Sequence, residues 1–269
     1  MTLIALGVVI NGFFKFDFAH LRYASVLGKI GMAWAIAAIL YIHFGLRTRI
    51  AICAALVVGY GVLLRTVVAP DFPDASSLSL EGNFLGWLDR HFMPGYLYEK
   101  NLFDPSGIHC NFFSVPTAMF GIFAGEIVRS ARMTGNRKAL ALLAFAAGLL
   151  VAGLAGLPVM PLSKRLWTPT FTLVVGAYST AAFALFYWII DVKGWRGWAT
   201  FFTVIGVNSI AAYFMISIVD FQRTSWYFLR GFASFLPEAG ANWLYACGRL
   251  AVLWLVLWYF NRNKTYFKV

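Results

Sequence analysis

The chain has 269 residues, 61% of them hydrophobic and only 12% charged, with a mean hydropathy of +0.73. Soluble domains run at about 45–50% apolar and about 25% charged, so a soluble α/β enzyme, a disordered chain and a disulfide scaffold all fit poorly. The balance of 22 basic to 11 acidic residues would suggest nucleic acid for a soluble protein, but in a lipid-dissolved chain it is explained by basic loops beside anionic headgroups, and no nucleic-acid partner is expected.

The first apolar stretch runs only from residue 2 to 14 before Lys15 and Asp17 stop it. That is about 20 Å of helix against a hydrocarbon core of about 30 Å. It lacks the basic start and small-residue cleavage site of a signal peptide. Two readings stay open. Either the chain begins inside a helix whose first turns are missing, or this is a short re-entrant or tilted helix. Seven longer runs follow, near residues 24–44, 50–68, 112–128, 139–157, 168–190, 198–219 and 241–260. Each approaches the length of a span, and backbone polar groups in lipid must be paired within the segment, so each is expected to be helical. The predicted fold is all-α: a polytopic transmembrane bundle of about seven full spanning helices plus a partial first helix. It forms a single transmembrane domain over residues 1–269.

The connections give a side to each span. The loops at 45–49, 129–138 and 191–197 and the tail from 261 carry Arg47, Arg49, Arg129, Arg132, Arg137, Lys138, Lys193, Arg196, Arg262, Lys264 and Lys268. The opposite loops hold most of the acidic residues. The positive-inside rule makes the first side cytoplasmic, with the C-terminus inside and the long 69–111 loop exoplasmic. Pro70, Pro73 and the serines at 76, 77 and 79 open that loop with turns. Phe84, Trp87, Leu88, Phe92, Tyr96 and Tyr98 then make its middle too apolar for disorder. It is expected to lie as a short helix or hairpin on the bundle mouth. Gly121 and Gly125 form a GxxxG, read as a close helix-packing stripe.

Polar residues in or beside a membrane span need a reason. The outer loop holds the densest group: Glu81, Asn83, Asp89, Arg90, His91, Asp104 and His109. They either fasten the loop through internal ion pairs or form a polar mouth for a hydroxyl-rich substrate such as a sugar. Lys164 and Arg165 precede a helix start, where the dipole opposes cations. They either anchor the interface or bind an anion with free helix amides. Asn208 lies within an apolar run and requires a hydrogen-bonding neighbour or bound group. Cys53, Cys110 and Cys247 are widely spaced and read as small core residues. The histidines show no ligand spacing, so no metal is expected. No phosphate-loop, dinucleotide or nucleophile-elbow motif is present. Membrane enzyme and transporter both remain open on these grounds.

Six runs in order carry a resemblance. They are Arg22-Tyr23-Ala24-Ser25-Val26-Leu27-Gly28-Lys29-Ile30; Glu81-Gly82-Asn83 with Trp87-Leu88-Asp89-Arg90; Asp104-Pro105-Ser106-Gly107; Pro161-Leu162-Ser163-Lys164-Arg165-Leu166-Trp167-Thr168; Asp191-Val192-Lys193-Gly194-Trp195; and Gly206-Val207-Asn208-Ser209-Ile210. Together the chain resembles the bacterial branch of the heparan-α-glucosaminide N-acetyltransferase-like transmembrane acyltransferases. The resemblance implies an enzyme of the bacterial inner membrane that moves acetyl from cytoplasmic acetyl-CoA to an amino sugar across the membrane. Family members begin with further helices, one bearing a histidine associated with acetyl transfer, and this chain has no counterpart. The resemblance therefore implies either a partial reading frame, with the catalytic base in a segment before Met1, or a shortened, inactive relative. Ser106 also stands where the family has an acidic residue.

Acetyl transfer to an amine needs a base and a site for the tetrahedral oxyanion. The donor's phosphates need cations. Arg47, Lys193 and Arg196 are the candidates for coenzyme A on the cytoplasmic face. Lys164 and Asn208 are the candidates for the reaction zone, and Glu81, Asn83, Asp89, Arg90 and Asp104 for the sugar mouth or its support. Lipid is the expected partner, with a second copy of the chain left open. An amino-sugar transporter or permease component, or a non-catalytic remnant, is the alternative.

Overall fold

The computed structural model describes residues 1–98 and 102–267. Among them the chain is all helical apart from two isolated β-bridges, and it packs as two compact units, Met1–Gly194 and Trp195–Val269.

In the first unit α1 (Thr2–Ile10) packs along the start of α2 (Val26–His43). A Cβ on Gly7 would overlap the Ser25 hydroxyl, so only glycine permits this approach. Ser25 caps α2, its Oγ accepting from Gly28 N at 2.9 Å. Phe44 and Gly45 alone separate α2 from α3 (Leu46–Thr66), which packs against the helices Val115–Arg129 and Pro169–Tyr187. The long loop contains α4 (Phe84–Phe92), capped by Asn83. The chain then enters α5 (Ile108–Phe113) and α6 (Val115–Arg129), with Pro116 in the first turn of α6. Next come α7 (Gly135–Ala155) and α8 (Pro169–Tyr187), which runs on into a π-turn at Trp188–Val192.

Small residues bring these spans together. Ala37, Ala177 and Cys53 share a core with Val115, Met119, Phe120 and Leu149. A Cβ on Gly176 would come within 2.6 Å of the Phe120 ring, and one on Gly153 within 2.7 Å of Val174. Gly121 and Gly125 do not serve as the expected packing stripe, because nothing lies within 4 Å of a Cβ built on either. The close contacts belong instead to α7 and α8.

The second unit holds α9 (Ala199–Gly206), α10 (Ser209–Ile218), α11 (Phe221–Ala233) and α12 (Glu238–Arg262). Asp220 caps α11 through Gln222 N and Arg223 N. Val204, Ala212, Phe221, Leu253 and Leu257 form its core.

Among the described residues six helices are long and apolar enough to cross a membrane, or seven if a bent pair is one span. The bent pair is α9 and α10, which meet at 70°. The apolar run at 198–219 is therefore two half-helices and not one straight span. Asn208 sits at the break, where its carbonyl oxygen accepts from Phe267 N at 3.3 Å. Trp34, Val58, Val62, Leu140, Val151 and Tyr178 are exposed on the outsides of the long helices. Water does not tolerate so much contiguous apolar surface, and lipid does. The protein is an integral membrane protein of helical bundle type.

Candidate functional site: a cationic cleft at the loop end of the first unit

The N-terminal ends of α2, α6 and α8 lie together beside the long loop, and a cleft of about 850 Å³ opens among them. Arg22, Lys29, Lys164 and Arg165 line it, with Trp34, Trp167 and Tyr98 as aromatic walls and Ser106, Ser114 and Thr117 on the α5–α6 side. Among the described residues no carboxylate lines it.

Two buried carboxylates build the wall from beneath. Arg22 donates to Asp104 through Nε and a terminal nitrogen, both at 2.7 Å. Asp104 also accepts from Ser106 N at 2.8 Å and Tyr98 N at 3.3 Å, and it has no exposed surface. Its acceptor capacity is thereby spent inside the fold. Asp89 is equally buried and accepts from Ile108 N at 3.0 Å and Asp104 N at 3.3 Å. Its carboxylate presses so closely on Gly107 that any Cβ there would overlap it. The backbone of residues 104–108 is folded around these two anions, in the manner of a small nest of amides.

Lys29 is the cation set deepest. It is 7% exposed, its ammonium lies 3.1 Å from the centre of the Trp167 ring, and it donates to Pro105 O at 3.4 Å. Lys164, on the opposite wall, repels it. The segment that carries Lys164, Arg165 and Trp167 is a hooked turn. Thr168 Oγ donates to Pro161 O at 2.9 Å and accepts from Ser163 N at 3.1 Å, and Trp167 takes a left-handed backbone (φ 52°). Tyr60 clamps the turn from α3, donating to Leu166 O at 2.5 Å.

A second, smaller cavity of about 300 Å³ continues along α2 and α6 toward their C-terminal ends, lined by Tyr41, Gly125, Glu126 and Arg129 among others. Trp34 and Ala118 line both cavities. Near that end Arg49 and Glu126 form a 2.7 Å ion pair.

Of the residues nominated from sequence, the structure brings Lys164 and Arg165 into the cleft itself. Asp89 and Asp104 lie behind its wall. Asn83 caps α4, donating to Ser79 O and Leu80 O as it accepts from Gly86 N. Arg90 is bound to Asp71 by two bonds of 2.7 and 2.8 Å and to Leu102 O. That guanidinium holds the Asp71 carboxyl below the usual carboxylate range. Glu81 is exposed, as are Arg47, Lys193 and Arg196, and none of the four lines the cleft. Lys193 lies over the Trp188 ring at 4.9 Å. Asn208 belongs to the second unit. Its amide nitrogen is buried, with no hydrogen bond among the described residues.

Sequence reasoning passed over Arg22, Lys29, Tyr98, Trp34 and Trp167 as site residues. Lys29 carried the clearest signal, an ionisable side chain four residues into an otherwise apolar span. Among the described residues no group of three or more His, Cys, Asp or Glu side chains is placed to hold a metal ion. No family model matches the chain, and no curated protein matches it significantly.

Proposed function

We propose that the protein is a membrane-embedded acyltransferase, or the major part of one, whose cleft receives a phosphate-bearing acyl donor such as acetyl-CoA. One observation carries this reading: four cations and three aromatic side chains surround one open volume. Cations suit phosphate oxygens, and indole and phenol faces suit a nucleobase or an apolar chain. Lys29 and Lys164 are placed to stabilise the oxyanion of acyl transfer. On this reading the donor site is the cleft of the first unit, which Arg47, Lys193 and Arg196 do not line. An amino sugar is the acceptor class that the motif resemblance suggests. It would react as the free amine, the form whose nitrogen lone pair can attack the thioester carbonyl. The setting is a bacterial inner membrane, and donor entry at this cleft requires the loop end to face the cytoplasm, opposite to the side that the positive-inside rule gives it.

The test is binding followed by transfer. Protein in lipid nanodiscs is titrated with labelled acetyl-CoA, then given glucosamine. Salt-sensitive binding that weakens about tenfold in Lys164→Gln, followed by N-acetylglucosamine formation, is expected. Absence of donor binding would overturn the reading.

The broken span favours a second reading. Paired half-helices with a buried amide at the break are a common way for transporters to hold solute. Amino-sugar uptake into proteoliposomes without acetylation would put transport in place of transfer.

A further inference from the structure

Behind Lys29 lies a group of side chains that donor binding does not use. Cys110 Sγ is 3.1 Å from His109 Nε2, and His109 Nδ1 faces Asp89 Oδ2 at 3.6 Å. All three residues are buried, and among the described residues the His109 Nδ1 atom has no hydrogen-bond partner. The ring is held by Phe103, centroids 5.2 Å apart, and Asp89 is fixed by two backbone amides. A thiol, an imidazole and an oriented carboxylate in that order are the parts of an activated nucleophile. A cysteine with only a packing role has no need of them.

The site also has an address. Cys110 is one helical turn from Ser114, which lines the cleft and donates to Cys110 O at 2.5 Å. Lys29 connects the two places, since it lines the cleft and its ammonium is an electrostatic neighbour of the Cys110 thiol.

We infer that Cys110 is the acyl-carrying nucleophile of this protein, activated by His109 and flanked by Lys29. The inference rests on the acyltransferase reading and adds a covalent step to it. His109 Nε2 takes the thiol proton, and the Cys110 sulfur attacks the carbonyl carbon of the donor thioester. The tetrahedral adduct collapses as the donor's C–S bond breaks. The departing thiolate recovers the proton from His109 and leaves as a thiol. The acceptor amine then attacks the Cys110 thioester, an amide forms, and the Cys110 sulfur leaves with the amine's proton. No oxidant or reductant enters. Lys29, whose ammonium neighbours the Cys110 sulfur, stabilises the oxyanion of the tetrahedral adduct.

The experiment incubates the full chain in nanodiscs with acetyl-CoA labelled in the acetyl group, with and without glucosamine, quenches in acid, and maps the label by peptide mass spectrometry. A hydroxylamine-labile acetyl on Cys110 that builds up without acceptor and is discharged by it is expected. Cys110→Ala should abolish it, with transfer falling about 100-fold or more. His109→Gln should slow label uptake at least about tenfold, and Cys53→Ala and Cys247→Ala should leave it unchanged. Transfer to glucosamine with no label on Cys110, or undiminished transfer in Cys110→Ala, overturns the inference and leaves the acyltransferase reading in place. Neither label nor transfer overturns both.

Discussion

Arg22 and Asp104 join the entry of α2 to the end of the long loop through two parallel hydrogen bonds of 2.7 Å, and the carboxylate between them is fully buried. A bidentate pair of this kind fixes position as well as charge. Removing only the cation strands an anion. Arg22→Met is expected to cost about 3–5 kcal/mol. The loss should appear in thermal unfolding in detergent, and Arg22→Met paired with Asp104→Leu should recover a large part of it.

Lys29 should behave in the opposite way. Its charge is buried over an indole and repelled by Lys164, with no carboxylate bonded to it among the described residues. Replacing such a cation with an apolar side chain of similar length is often neutral or stabilising. Lys29→Met is therefore expected to keep or raise the unfolding temperature while weakening acetyl-CoA binding by about tenfold or more. Titration and melting on the same preparation check both halves.

Gly107 supports the Asp89 carboxylate by having no side chain. Gly107→Ala places a methyl group where that carboxylate sits. Overpacking of this kind costs about 1–3 kcal/mol. The change should also alter the alkylation rate of Cys110, because Asp89, Ile108 and His109 are linked through the same few atoms. Detergent unfolding and thiol labelling measure the two effects.

The outer loop carries a mild acid sensitivity through Asp71 and Arg90. The hydrogen-bonded guanidinium lowers the folded carboxyl's pKa, so the contribution is present above the ordinary aspartate range and disappears as pH falls through the lowered value. Both side chains reach solvent, at 30% and 13% exposure, which keeps the contribution to about 1 kcal/mol or less. Asp71→Asn should remove that step from an unfolding titration below pH 4 and leave the curve near neutrality parallel to the parent.

The helices were readable because lipid demands uninterrupted apolar length, and hydropathy along the chain reports length directly. Residues 26–43 and 46–66 show it, with the short loop between them marked by Gly45. The break at Asn208 was less legible. Gly206 and Asn208 signalled something within the run, but a 70° bend depends on what the half-helices pack against. The GxxxG at Gly121 failed for the same reason, since a small-residue stripe does not say which neighbour fills it. At the site, Asp89 and Asp104 were legible as polar residues needing a reason. Their reason, capping amides and holding Arg22, depends on contacts across 15, 19 and 82 positions that no local pattern encodes. His109 and Cys110 were read apart, one as a lone histidine and one as core, because adjacent positions on a helix do not ordinarily face each other.

Trp34 has the last consequence. It stands about 12 Å along α2 from Val26 and, with Ala118, is common to the walls of both hollows between α2 and α6. On the acyltransferase reading proposed above, this indole is a measuring stop for a chain that enters at the loop end: a long acyl chain would meet it and a two-carbon one would not. Cut back to alanine, the stop would merge the two hollows into a single trough and turn a chain-length filter into a permissive slot.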